Sequence, residues 1–308
     1  MRKTFRFLYT CILLTAVLSA KSQQNKVIKK ENVVYGMVSN MALLMDVYQP
    51  EKNNKKAVVF IHGSAWGMSY PGGYDQRHLN DDFDSDSNYM GKWGHELVQR
   101  GYTLFVINHR FVPAFQFPEI FADCQRAVRF IRFHANDYDI DARHIGAMGH
   151  SSGANLAAML GAVDGKMLNP SNRIDSTDAG VQAVVTLAAP FDLADVNKKQ
   201  DSAMAKDYVL AALNGYLGGL PEKRADTFFL SGKYALASPI THLTKNDAPM
   251  LIYYSDNDPL IPARQAGAMY KKLVATGIAA KIVERKNQDH GPVPDMNEVD
   301  AWFKKYLQ

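Results

Sequence analysis

Ile145-Gly146-Ala147-Met148-Gly149-His150-Ser151-Ser152-Gly153 runs from an apolar strand into a helix through one serine flanked by glycines. Ala154, Ala157 and Ala158 follow, so the helix that opens there carries small residues on its first turns. This is the Gly-x-Ser-x-Gly pattern in the setting it requires, a sharp turn between a buried strand and a helix. Glycines at 149 and 153 remove side chains that would collide in the turn, and Ser151 is thereby exposed at the top of a sheet as a nucleophile. The amino end of the helix points its free N–H groups at the charge that develops when the serine attacks a carbonyl.

Outward from this segment, further apolar runs bounded by turn residues recur along the chain. They are Ala57–Ile61, Thr103–Asn108, Ala183–Leu187, Met250–Tyr254 and the shorter Lys281–Val283. Runs of this kind are strands covered on both faces. Two short strands, Val33–Tyr35 and Leu43–Tyr48, are expected before them, after a polar linker over Lys21–Lys30. Helical spacing lies between the strands, over Phe117–His134, Ser152–Val163, Ala263–Thr276 and Val299–Leu307. Alternating strands and helices predict an α/β fold: a mostly parallel central sheet with helices on both faces. Met68–Gly91, rich in Gly, Asp, Asn and Tyr, interrupts the alternation. So does Phe191–Asp247, a helical insertion before the strand at Met250. Insertions at the carboxyl ends of such strands wall the ligand site or cover it as a lid.

Length and composition agree with one globular domain. The chain has 308 residues, 47% hydrophobic and 21% charged. Its first residues are of another kind. Arg2, Lys3 and Arg6 precede an apolar run from Phe7 to Ala20, and Ala20-Lys21-Ser22 has the form of a cleavage site. Residues 1–22 are therefore expected to be a signal peptide, with residues 23–308 as the exported domain, secreted or periplasmic. Arg2, Lys3, Arg6 and Lys21 account for the whole formal charge of +4, which leaves residues 23–308 formally neutral. A neutral domain has no electrostatic case for nucleic acid or an anionic membrane, and no stable membrane insertion is expected after cleavage. Cys124 is the single cysteine beyond the leader, so no internal disulfide is possible. It lies in the amphipathic stretch Phe117–His134 and is expected to be a small core residue.

A serine needs a base, and the base needs an orienting acid. His290, in Gln288-Asp289-His290-Gly291 after the last strand, stands where the order serine, acid, histidine puts the base. Asp256 and Asp258 both follow the strand Met250–Tyr254 and both qualify as the acid. His62-Gly63-Ser64-Ala65-Trp66, at the end of Ala57–Ile61, is a small-residue loop of the kind that supplies backbone donors to an oxyanion. The N–H groups of Ser64, Ala65 and Ser152 are the expected donors. This chemistry calls for no cofactor and no metal. Asp82, Asp84, Asp86 and Asn88 alternate like the start of a calcium loop, but Ser87 and Trp93 stand where glycine and glutamate are needed, so a solvated acidic loop is the better reading. Trp66, Tyr70, Tyr74 and Tyr89 are candidates for an aromatic wall, with Trp66 and Tyr70 as the expected substrate contacts.

The arrangement resembles the α/β-hydrolase esterases related to the hormone-sensitive lipases, in particular bacterial carboxylesterases that include feruloyl and acetyl-xylan esterases. The likeness runs over most of the chain. It rests on Asp46-Val47-Tyr48-x-Pro50, on His62–Trp66, and on the spacing of Arg110, Pro113, Phe117-Pro118 and Asp123. It continues through Asp141 and Ile145 to Gly149–Gly153, then Ser238-Pro239-Ile240, Asp258–Pro262 and His290-Gly291. The resemblance implies Ser151, Asp258 and His290 as the catalytic set, with Asp256 left as a turn former. It also implies hydrolysis of a small-molecule or carbohydrate ester. Ser64 and Ala65 replace glycines usual in that loop, and their side chains are expected to crowd the acyl side and favour short acyl groups. An amidase, peptidase or formamidase-like hydrolase on the same fold is the alternative, and a binder that kept the fold is the third class.

Overall fold

The computed structural model describes residues 25–68, 89–196, 203–219 and 227–308. The expected signal peptide, the acidic loop at 82–88, Tyr70 and Tyr74 lie outside the described residues, as does the side chain of Tyr89. Eight strands form one sheet: β1 (Val27–Val38), β2 (Met41–Pro50), β3 (Ala57–Ile61), β4 (Thr103–Ile107), β5 (Ile145–His150), β6 (Ala183–Leu187), β7 (Met250–Ser255) and β8 (Ala280–Arg285). Their spatial order is β1-β2-β4-β3-β5-β6-β7-β8. β2 runs antiparallel to both its neighbours, and all pairings from β4 to β8 are parallel.

The helices are α1 (Tyr89–Gln99), α2 (Glu119–Phe133), α3 (Ser152–Ala162), α4 (Leu193–Val196), α5 (Ala203–Leu217), α6 (Thr227–Leu236), α7 (Arg264–Thr276) and α8 (Met296–Tyr306). Every residue of β3, β4, β5 and β6 is buried, because apolar layers cover both faces. One layer packs α2 and α3 against the sheet, with Ile120, Cys124, Val128 and Leu156 among its buried residues. The other gathers Trp93, Leu97, Val299 and Phe303 from α1 and α8. Cys124 is fully buried and unpaired with any other cysteine, and burial pushes its thiol up.

Three expectations are corrected. The polar linker extends only to the start of β1: Val27–Lys30 already pairs with Val47–Pro50 as an edge strand. β8 is longer than its apolar core and only partly buried, since it closes the far edge of the sheet. α1 begins within the stretch taken as an interruption, and its apolar side is set by Trp93, Leu97 and Val98.

The strand order reverses between β3 and β5. The chain leaves β3 in one direction to form β4 and returns on the other side as β5. Loops from adjacent carboxyl ends diverge at such a point and leave a crevice. The crevice lies between the loop His62–Trp66 and the turn at Ser151.

Candidate active site

Ser151 sits between β5 and α3 with φ +53° and ψ −123°, a region that side-chain-bearing residues rarely adopt. The turn is over-determined by its bonds. Ser151 N–H donates to Leu187 O at 2.8 Å, and Asn155 N–H donates to Ser151 O at 3.1 Å. Close approach fixes the residue two positions on. A Cβ at Gly153 would lie 2.2 Å from Ile61 O and 2.4 Å from His62 O. Only glycine lets α3 start against the end of β3.

His290 meets Ser151 from the loop after β8. Its Nε2 lies 2.8 Å from Ser151 Oγ. Its Nδ1 lies 2.8 Å and 3.0 Å from the two carboxylate oxygens of Asp258. In the tautomer that can serve as a base, Nδ1–H donates to the carboxylate and Nε2 accepts from the serine hydroxyl. Asp258 is almost wholly buried. Its Oδ1 also accepts from Leu260 N–H at 2.8 Å and Ile261 N–H at 2.9 Å, which orients the carboxylate toward the imidazole. Asp256 has another place. It accepts from Asn287 N–H at 2.8 Å and braces the turn that leads to His290.

Ala65 and Ser152 line the crevice beside Ser151. Ser64 does not. Its N–H donates to Ser152 Oγ at 3.1 Å, and its own hydroxyl accepts from Gly67 N–H at 2.9 Å. The Ser64 side chain therefore turns back into its loop and its N–H is taken up by Ser152 Oγ, so two expectations are corrected: Ser64 neither crowds the crevice nor offers its N–H as an oxyanion donor. Ala65 and Trp66 both take positive φ, +47° and +59°, so the loop turns sharply over the serine.

The crevice opens into a small pocket of about 30 Å³. Its walls are apolar: Val209, Ala212 and Leu213 from α5, Leu260 and Ile261 from the loop after β7, and Pro190. Trp66 forms one wall but is not free to swing. Only 3% exposed, it stacks on Tyr216 with centroids 4.2 Å apart and planes 6° from parallel. The stack joins the loop after β3 to α5. Two backbone bonds hold the same junction, Val112 N–H to Trp66 O at 3.2 Å and Phe117 N–H to Tyr216 O at 2.8 Å. Arg110 fixes that segment through a near-buried ion pair with Asp123 at 2.9 Å, which raises the arginine further.

The insertion between β6 and β7 is fastened at its stem. Asn155, on the first turn of α3, donates from one amide nitrogen to Pro190 O at 3.0 Å and Ala237 O at 3.3 Å. Ser238 Oγ accepts from Leu193 N–H at 2.9 Å and donates to Tyr234 O at 2.7 Å. Gln265 of α7 accepts from Phe191 N–H and Asp192 N–H at 2.9 Å and 2.8 Å. Asn155, Tyr216 and the α5 residues were not singled out from sequence. The stripe Tyr208, Val209, Ala212, Leu213, Tyr216 has helical spacing that marks one apolar face.

A mostly parallel sheet with a strained serine between strand and helix, at the reversal of strand order, defines an α/β-hydrolase fold. Residues 45–273, most of the chain, match the BD-FAE family, and the chain belongs to it. Esterase LipC of Mycobacterium tuberculosis is 22% identical over 258 residues, 82% of this chain and 57% of that protein. Isoprenylcysteine alpha-carbonyl methylesterase ICME of Arabidopsis thaliana is 21% identical over 85% of this chain and 56% of its own length. The chain thus spans about half the length of the curated relatives it matches. Among solved structures, a truncated carbohydrate esterase from gut microbiota superposes with a TM-score of 0.72 at 25% identity, covering 93% of this chain and 98% of that one. An acetyl ester-xyloside bifunctional hydrolase from Caldicellulosiruptor lactoaceticus shares the fold, with a TM-score of 0.65 at 16% identity over 94% of this chain and 96% of its own.

Proposed function

We propose that this protein is a serine carboxylesterase that hydrolyses short-acyl esters of carbohydrate or phenolic alcohols through an acyl-enzyme. One observation carries the reading: Ser151 Oγ, both nitrogens of His290 and the Asp258 carboxylate form a continuous line of hydrogen bonds. In the first half-reaction Ser151 Oγ attacks the ester carbonyl carbon and its proton passes to His290 Nε2. The N–H groups of Ala65 and Ser152 receive the oxyanion. Collapse breaks the bond to the alcohol oxygen, which takes the proton from His290. Water then repeats the sequence on the acyl-Ser151 ester, releases the acid and restores the serine. Asp258 holds the tautomer and stabilises the imidazolium without itself taking the proton.

The substrate half of the proposal has two supports. The pocket beside Ser151 is apolar and bounded by α5, which suits an acyl group of few carbons. The similar gut-microbiota structure is described as a carbohydrate esterase, and it is matched over nearly its whole length. Relative turnover of p-nitrophenyl acetate, butyrate, octanoate and palmitate, then release from acetylated xylan and methyl ferulate, tests both halves. A steady rise in kcat/KM from acetate to octanoate overturns the short-acyl reading, because each methylene buried in an open apolar tunnel adds about 0.8 kcal/mol. Simple esters cleaved with no release from xylan or ferulate overturn the alcohol.

The proposal includes export, with the mature chain starting near Gln23. It rests on the basic and apolar leader, and amino-terminal sequencing of protein from the native cell tests it. Met1 retained in a membrane pellet overturns it. Among the described residues no helix is long and apolar enough to cross a membrane.

A further inference from the structure

We infer that His150, the residue between Gly149 and the nucleophile, is a positioning residue that holds the backbone of His290 in register with Ser151. The inference rests on the serine-nucleophile reading above. The His150 Nε2–H donates to His290 O at 2.6 Å. The two imidazole rings lie 5.0 Å apart. His150 is 3% exposed, and Trp93 of α1 sets its ring edge-on at 6.4 Å on another side. The loop after β3 closes against its other nitrogen: a Cβ at Gly63 would lie 2.4 Å from His150 Nδ1. One ring thus touches the serine turn, the loop before Ser64 and the loop that carries His290.

The geometry addresses a specific need. His290 side-chain bonds fix where its nitrogens point, but a side chain on a mobile backbone is poorly placed. Anchoring the carbonyl of the same residue removes that freedom. The anchor must donate to a carbonyl, which a neutral imidazole does through one nitrogen only. Burial and the neighbouring His290 pull His150 down to about 3, so it stays neutral wherever a histidine base can act. The residue before a nucleophilic serine is required by the turn only to fit, so a buried polar ring there serves something beyond the turn.

The test compares His150→Phe, which keeps a ring and removes the donor, with His150→Gln, which restores an N–H at similar reach. In His150→Phe, kcat for p-nitrophenyl acetate is expected to fall about 10- to 100-fold, as for a misplaced catalytic group, with KM changed less than about twofold. The rate of fluorophosphonate labelling falls with it, and His150→Gln recovers most of both losses. A His150→Phe enzyme with wild-type kcat and labelling rate overturns the inference, as does an equal loss in the glutamine variant. A separate arm needs no variant. Imidazole 15N shifts of the wild-type protein at pH 5 are expected to show His150 neutral and protonated on Nε2; a ring protonated on Nδ1, or on both nitrogens, overturns it. The serine reading has its own control, since wild type that fails to label or to lose activity in Ser151→Ala defeats that reading and leaves the 15N arm standing.

Discussion

Gly153→Ala is the sharpest test of how the site is built. Alanine favours helices over glycine by up to about 1 kcal/mol, so propensity alone predicts a more stable α3. The structure predicts the reverse. The added Cβ would lie 2.2 Å from Ile61 O, 2.4 Å from His62 O and 2.7 Å from Ile61 C, all backbone atoms that have no rotamer to escape through. Relief to the closest ordinary C···O approach of about 3.3 Å requires the start of α3 and the end of β3 to part by roughly 1 Å. That displacement falls between Ser151 on one side and Ala65 on the other. Overpacking of this kind costs about 1–3 kcal/mol, or roughly 2–10 °C in Tm for a domain of this size. On the proposed mechanism, a shift of about 1 Å between Ser151 and the N–H groups of Ala65 and Ser152 is expected to cost about 100-fold in kcat. Gly267→Ala in α7 is the control: nothing lies within 4 Å of its Cβ position, so the same exchange is expected to leave activity intact and raise Tm slightly. Thermal unfolding and p-nitrophenyl acetate kinetics on both variants decide the matter. A Gly153→Ala enzyme with wild-type kcat, or one as stable as Gly267→Ala, would refute the packing argument.

Asp258→Asn is expected to lower kcat by roughly 10⁴-fold, because an amide facing His290 Nδ1 favours the wrong tautomer, while Asp256→Asn keeps most activity; steady-state kinetics on the pair checks the assignment, and an inactive Asp256 variant reverses it. Hydrolysis is expected to decline in acid as the histidine base takes up a proton, and a rate flat down to about pH 4 excludes such a base. For His150 the folded value of about 3 lies below the ordinary 6.5, so the unfolded chain takes up a proton that the folded chain refuses. Its contribution to stability is complete above pH 6.5 and is lost as pH falls toward 3, amounting to roughly 2 kcal/mol by pH 5. Urea unfolding of wild type and His150→Phe at pH 7 and pH 5 measures it, and equal declines in the two proteins count against it. Asn155→Leu leaves the carbonyls of Pro190 and Ala237 without their donor and is expected to cost about 1–3 kcal/mol each, read as a lowered urea midpoint.

The sheet was legible because the continuous apolar runs are bounded by turn residues such as His62-Gly63, Gly149 and Ser255, and the same runs proved to be β3 to β7. The edges were less so. β1 has a mostly polar, alternating burial because it pairs through its backbone and buries little, so Val27–Lys30 carried too weak a pattern to be taken as strand. The start of α1 was lost inside a polar stretch, though Trp93 and Leu97 at a spacing of four were there to mark it. Ser151 and His290 follow from local motif and chain order. The choice between Asp256 and Asp258, two residues apart, does not, and depends on which carboxylate meets an imidazole 32 positions on. Trp66 and Ser64 show the opposite limit. Both stand in a legible loop, yet the Tyr216 stack and the Ser152 hydroxyl that decide their orientation come from elsewhere in the chain.

The placement of His290 is the step that sheet order alone leaves unsolved. Ser151 leaves the carboxyl end of β5, while the His290 loop leaves β8, three strands away and thus about 14 Å across the sheet. The loop between β8 and α8 has no regular structure of its own and must travel back over β7 and β6. It is steered by side chains from the strands it crosses or reaches. Asp256, after β7, takes Asn287 N–H at the start of the return. Asp258, also from the end of β7, takes the imidazole itself. His150, from β5, takes the His290 carbonyl at the far end. Inside the loop, Asp289 and Gln288 accept from Gly291 N–H and Val293 N–H and stiffen what remains. A loop guided at successive points by buried or rigid strand ends presents one imidazole at hydrogen-bond distance from a serine that the fold has already fixed. That dependence is why His150, the residue before Ser151, belongs with His290 in any account of this site.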